Sequence, residues 1–138
     1  MIDSYKKYIE YIEADREALF ETKKRTGPLD DIWKWEKLLR KVEYLKNVQG
    51  HKMIGRIFYA IFRFKLHRDS VRLGFSIPLN VCGSIPLNVC GKGLSIAHYG
   101  SVAINPRASI GENCIIYGDV VIGVQNPGGG HQLLEIMF

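Results

Sequence analysis

Four isoleucines, Ile104, Ile110, Ile116 and Ile122, stand six residues apart without interruption. A period of six matches neither the 3.6 of a helix nor the 2 of a half-buried strand. It suits a parallel β-helix, in which each short strand contributes one inward aliphatic side chain and small residues turn the corners. Ala108, Cys114 and Val120, each two positions before an isoleucine, supply a second, smaller inward position. Going backward, Ile96 and Cys90 continue the step of six, but from Ile96 to Ile104 the step is eight. The two additional residues predict a local bulge or loop around residues 98–101.

The part of the chain before this register has a different chemistry. Residues 1–73 hold 17 Lys and Arg against 11 Asp and Glu, whereas residues 74–138 hold two basic and three acidic residues. Glycine divides the other way, three before residue 74 and eleven after. Two structural regimes joined near Gly74 are expected, giving an α+β fold: a helical module over residues 1–73, a short left-handed parallel β-helix over 74–127, and an irregular tail over 128–138.

Three helices are predicted in the first regime. From Asp3 to about Lys24, residues Tyr5, Tyr8, Ile9, Ile12, Leu19 and Phe20 form one apolar stripe, and Thr26, Gly27 and Pro28 stop it. A second helix has Asp30 or Asp31 as N-cap, with Ile32, Trp35, Leu38, Leu39, Val42 and Leu45 on one face, ending near Gln49 and Gly50. A third, from Met53 to about His67, carries Ile54, Ile57, Phe58, Ile61 and Phe64, with Arg56, Arg63 and Arg68 elsewhere around it. Residues 37–72 hold ten Lys and Arg against Glu43 and Asp69. Because the aromatics fall at helical spacing and not as an exposed, interleaved stacking platform, a solvated basic face is expected over nucleic-acid binding or interfacial membrane attachment. The stretch from Met53 to Leu66 is interrupted by three cations, so no membrane span is expected.

An exact duplication lies at the junction. The octet SIPLNVCG of residues 76–83 recurs unchanged over residues 84–91. Structural repeats drift in sequence, so an identical pair points to a recent copying event. Eight is not a multiple of six, and one copy is therefore expected to loop out or to cap the first coil, with no preference for which. Three cysteines and no secretory leader pattern lead us to expect a cytoplasmic protein without a disulfide framework. Cys82, Cys90 and Cys114 lack paired metal-ligand spacing, and the last two fall on inward positions, so no metal is expected.

The segments DDIWKWEKLLRKVEY (30–44), LGFSIP (73–78) and GKGLSIAHYG (91–100) resemble the serine O-acetyltransferase group of hexapeptide-repeat acyltransferases, especially members found among polysaccharide-synthesis genes. The likeness spans residues 1 to about 123. It implies a homotrimer that binds acetyl-coenzyme A between subunits and transfers the acetyl group to the hydroxyl of L-serine, a step of cysteine biosynthesis. The histidine that matches the family's general base is His98, and a positioned imidazole typically supplies roughly 10²- to 10⁴-fold in rate. Gly129, Gly130 and His131 resemble the family's glycine-rich loop with its second active-site histidine, a candidate for substrate or cofactor contact, although Gly130 stands where the family has arginine. Ala97 occupies the place of a carboxylate that meets the amino group of serine, and Ser84 (or Ser76) the place of a second carboxylate that orients the histidine. These departures keep open a saccharide hydroxyl as acceptor. The family also continues for further coils, whereas residues 131–138 leave the six-residue register. The resemblance thus implies a C-terminally truncated or frame-shifted member, with a catalytically silent assembly module as a further alternative. His51 and His67 are expected to be solvated residues near helix ends.

Overall fold

The computed structural model describes residues 1–23, 27, 29–75, 85–124 and 134–137. Three helices come first: α1 (Tyr5–Lys23), α2 (Asp31–Tyr44) continued by one π-helical turn (Leu45–Gln49), and α3 (Met53–Leu73). Among the described residues five short strands follow: β1 (Ser95–Ile96), β2 (Val102–Ile104), β3 (Ile115–Ile116), β4 (Val120–Val124) and β5 (Leu134–Met137). They form two small sheets, β1 with β3, and β4 between β2 and β5.

Asp30 is the N-cap of α2, its carboxylate accepting from the backbone N–H of Ile32 at 3.0 Å and of Trp33 at 3.1 Å. All six residues of the expected α2 stripe are buried. At the other boundary, Gly74 ends α3 in the left-handed region with φ of 81°. The Phe75 N–H then reaches back to the Ser70 carbonyl at 2.9 Å, closing the helix where the composition shifts.

The faces of α1 and α3 differ from expectation. Along α1, Tyr11, Asp15 and Leu19 are buried, while Tyr5 and Phe20 are exposed. Along α3, Gly55, Leu66, Ser70 and Leu73 face inward, and Ile54, Ile57, Phe58, Ile61 and Phe64 face out. The physical reason is that α3 is apolar on two sides. The side that meets α2 is selected by a Trp35 indole N–H donating to the Ser70 hydroxyl at 2.8 Å, with Lys41 over the Phe62 ring at 4.0 Å. For α1, selection comes from Asp15, which has a buried cation to pair with.

That cation is Arg40, fully buried in α2. Its Nε and Nη2 donate to Asp15 at 2.6 and 3.2 Å, and Nη1 donates to Glu43 at 3.0 Å. Its other two hydrogen bonds go to the carbonyl oxygens of Cys90 at 3.0 Å and Gly91 at 2.6 Å. All five guanidinium hydrogens are thus matched. These two carboxylates, with that of Glu36, also hold the backbone that leads into and forms β1. Asp15 accepts from the N–H of Gly93 at 2.8 Å and Leu94 at 2.9 Å, Glu43 from Asn88 at 2.7 Å, and Glu36 from Ile96 at 3.0 Å. One hydrophobic cluster accordingly runs without a break from Leu19, Ile32 and Leu39 into Leu94, Ile96, Ile104, Ile116 and Ile122.

The strand segments stack in parallel at a long, regular spacing. Cys90 lies beside Ile110, Ser95 beside Ile115 and Ile96 beside Ile116, each partner twenty residues on. Val102 then lies beside Val120 and Ile104 beside Ile122, each eighteen on. The loss of two falls between Ile96 and Val102, where the eight-residue step requires it. Ile96, Ile104, Ile116 and Ile122 are buried, and Ile110 and Cys114 pack partly buried against the same cluster. Residues Leu134–Met137, expected as irregular tail, instead form β5, antiparallel to β4. An open edge of β4 offers unpaired N–H and C=O groups, and β5 pairs with them.

Of the two octets, the second makes core contacts: Ile85, Val89 and Cys90 are buried, and Asn88 bonds to Asn47. Ser84 and the first copy lie outside the described residues. Deleting either copy yields the same protein sequence. We expect the shortened chain to remain folded with a thermal midpoint within about 4 °C of the parent, roughly 1 kcal/mol at this size. A larger fall in a thermal melt would mean that both copies carry structure. For Arg40→Ala, which strands buried carboxylates, we expect a loss of about 3–5 kcal/mol in urea unfolding. Lys7→Ala, which removes an exposed pair with Asp3, leaves the urea midpoint in place.

Candidate functional site

The residues between β1 and β2 form the candidate site. Ala97 is still in the stack, buried, with its N–H donating to the Ile116 carbonyl at 2.8 Å. Chain alignment resumes at Ser101, whose carbonyl accepts from the Val120 N–H at 2.9 Å. Beside this segment the next connection, Tyr117, Gly118 and Asp119, crosses from β3 to β4 in three residues where the first needs five. The additional length is taken up by His98, Tyr99 and Gly100, and both His98 and Tyr99 are exposed.

The base of this projection is anchored. Asp119 accepts from the Ser101 N–H at 3.0 Å, and Gly118 and Asp119 both adopt positive φ, 93° and 51°. Asp is among the few residues other than glycine that visit that region. A second stacked corner supports the preceding turn. Gly93 has φ of 78°, a conformation that side-chain-bearing residues rarely adopt, and a Cβ there would crowd the Asn113 backbone at 3.1 Å.

The His98 ring sits beside that of Tyr117, centroids 6.3 Å apart and planes tilted by 40°. An exposed imidazole next to an exposed phenol, on a projection with a fixed base, is chemically suited to accept a proton from a hydroxyl that approaches from solvent. Neither Tyr117 nor Asp119 was singled out from the sequence. The signal for both is position: Asp119 lies eighteen residues after Ser101, the offset of β2 and β4, and Tyr117 nineteen after His98, between that offset and the twenty of β1 and β3.

Gly129, Gly130 and His131 lie outside the described residues, as do Ser76 and Ser84. His51 is exposed just before α3, while His67 is half-buried well inside α3, which extends six residues past the expected end. Among the described residues no group of three or more His, Cys, Asp or Glu side chains is arranged to hold a metal ion. A hollow of about 620 Å³ lies on the helical part, lined by Arg16, Glu17, Phe20, Glu21, Trp33 and Lys37 among others, and His98 is not in its wall.

The two described cysteines belong to the stack and not to this site. Burial pushes the Cys90 thiol up to about 12 and raises Cys114 more weakly. At pH 8 Cys90 should therefore react with a thiol reagent roughly 10³-fold more slowly in the folded chain than in urea, read by mass spectrometry of the alkylated peptide. Between about pH 9 and 12 the unfolded chain has released a proton that the folded chain keeps. From this group, unfolding free energy should fall with rising pH by up to about 1.4 kcal/mol per unit. Equal labelling rates in both states would contradict the burial of Cys90.

No family model, characterised protein or solved structure matches this chain.

Proposed function

We propose that the chain is an acetyl-coenzyme A-dependent O-acetyltransferase on a short left-handed β-helix, acting on the hydroxyl of L-serine as a cytoplasmic homotrimer. One observation carries the reading. His98, the residue that matches the general base of the resembled family, is exposed on the two-residue enlargement of an otherwise regular parallel stack. Outward positions elsewhere in the stack, Ile115, Tyr117 and Val121, are exposed as well, and His98 differs from them in standing on the enlarged connection.

In this reading His98 takes the proton from the acceptor hydroxyl as that oxygen attacks the thioester carbonyl. The carbon–sulfur bond then breaks, and the leaving thiolate recovers the proton from the imidazolium. Tyr117 limits the swing of the ring, and Asp119 fixes the backbone on which the projection stands. A second acceptor, a saccharide hydroxyl, is favoured by one feature: the residue before His98 is a buried alanine, with no charge to meet the ammonium of free serine.

The test is thiol release from acetyl-coenzyme A by the purified chain, with and without L-serine. Serine-dependent release is expected, reduced about 10²- to 10⁴-fold in His98→Ala with the assembly state unchanged by light scattering. A variant that keeps most of the parent rate removes His98 from the mechanism. Release that requires a saccharide and ignores serine selects the second acceptor. No release with any acceptor and no binding of coenzyme A would leave a silent assembly module.

A further inference from the structure

The outward side of α3 carries a long apolar keel. Met53, Ile54, Ile57, Ile61, Phe64 and Val71 recur at helical spacing, and each is more than half exposed, Met53 at 77% and Phe64 at 71%. The opposite side of the same helix is the one that packs on the protein. Helical geometry puts residues seven apart on one row. Arg56 and Arg63 make one such row along one margin of the keel, and Lys65 and Arg72 make another along the other margin. Lys52 adds to the first margin, while Arg68 stands in the keel itself, seven residues after Ile61; Asp69 pairs with Lys65 and Arg68, and Arg72 lies 3.7 Å from Asp31 of α2. Among the described residues Arg56 and Arg63 have no carboxylate partner.

An apolar strip from Met53 to Phe64, about 18 Å long and resumed at Val71 beyond Arg68, with cations along both margins has the layout of a helix lying in a lipid interface. It is too charged to cross, and no described helix is long and apolar enough to span a bilayer. Charge decides between possible occupants. A second copy of α3 laid keel to keel would bring two pairs of basic margins together, whereas anionic headgroups complement them while acyl chains take the isoleucines and phenylalanines. We propose that α3 docks this protein on an anionic membrane surface, keel inserted and Arg and Lys rows at the headgroups. This inference does not depend on acetyl transfer.

The test is sedimentation of the full chain with vesicles of phosphatidylcholine alone or with about 30% phosphatidylglycerol, at low salt and at roughly 0.5 M salt. We expect at least about tenfold stronger partition onto the anionic vesicles, weakened by salt. The triple variant Ile57→Ser, Ile61→Ser, Phe64→Ser should lose the binding while keeping its circular dichroism and thermal midpoint, because all three side chains are exposed. A second variant, Arg56→Gln with Arg63→Gln, should reduce the preference for anionic lipid several-fold. Absence of binding to anionic vesicles, or binding that survives the triple substitution, overturns the proposal. So does an assembly of the parent that the triple substitution dissociates in analytical ultracentrifugation, since a second copy would then cover the keel.

Discussion

A single buried guanidinium joins the two halves of this protein. Arg40 has no exposure to solvent, and each of its five N–H groups is spoken for, three by carboxylates of the helices and two by carbonyls of the first strand turn. Burying one charge is costly, and removing one partner from such a group leaves the rest uncompensated. The neighbouring carboxylates hold its charge in place, so that the Arg40 guanidinium stays protonated beyond its ordinary range. Breaking any one of these contacts would disturb α1, α2 and the strand stack together.

This arrangement solves a problem that a stack of short parallel strands always has. The first layer has a neighbour on one side only, and its other edge presents unpaired amides and carbonyls. Here Glu43, Asp15 and Glu36 accept from the amides of Asn88, Gly93, Leu94 and Ile96, and Arg40 donates to the carbonyls of Cys90 and Gly91. Side chains of α1 and α2 therefore stand where another layer of strands would. At the other end, β5 pairs with β4 and covers part of that edge. Between these ends the stack is regular enough for the position of His98 to follow from its one irregularity.

Much of this was legible before any coordinates. The isoleucine register named the inward positions, and its eight-residue step marked the segment where the strand offset changes from twenty to eighteen. The α2 stripe holds at every residue because its apolar side chains share one face, although α2 also buries Glu36, Arg40 and Glu43, which no apolar pattern marks. Reading failed on the other two helices. On α3 both sides are apolar, so a count of apolar residues chose the side that faces out. On α1 the buried row contains Asp15, which a hydrophobicity pattern assigns to solvent because its partner Arg40 is 25 residues away in the chain. Of the candidate site, His98 was legible from a motif and a break in register, while Tyr117 and Asp119 became neighbours only through stacking.

Periodicity and capping are local: residues a few positions apart impose them whatever surrounds them, and so the sequence by itself determined the helices, the stacking period and the place of its interruption. Which side of α1 and α3 is buried, that residues 85–90 enter the core, that Asp15, Glu36, Arg40 and Glu43 go inside, and that β5 pairs with β4 were decided only by tertiary structure. The free energy of a buried charge or of a two-sided apolar helix depends on what lies opposite it, and nothing in the local sequence specifies that neighbour.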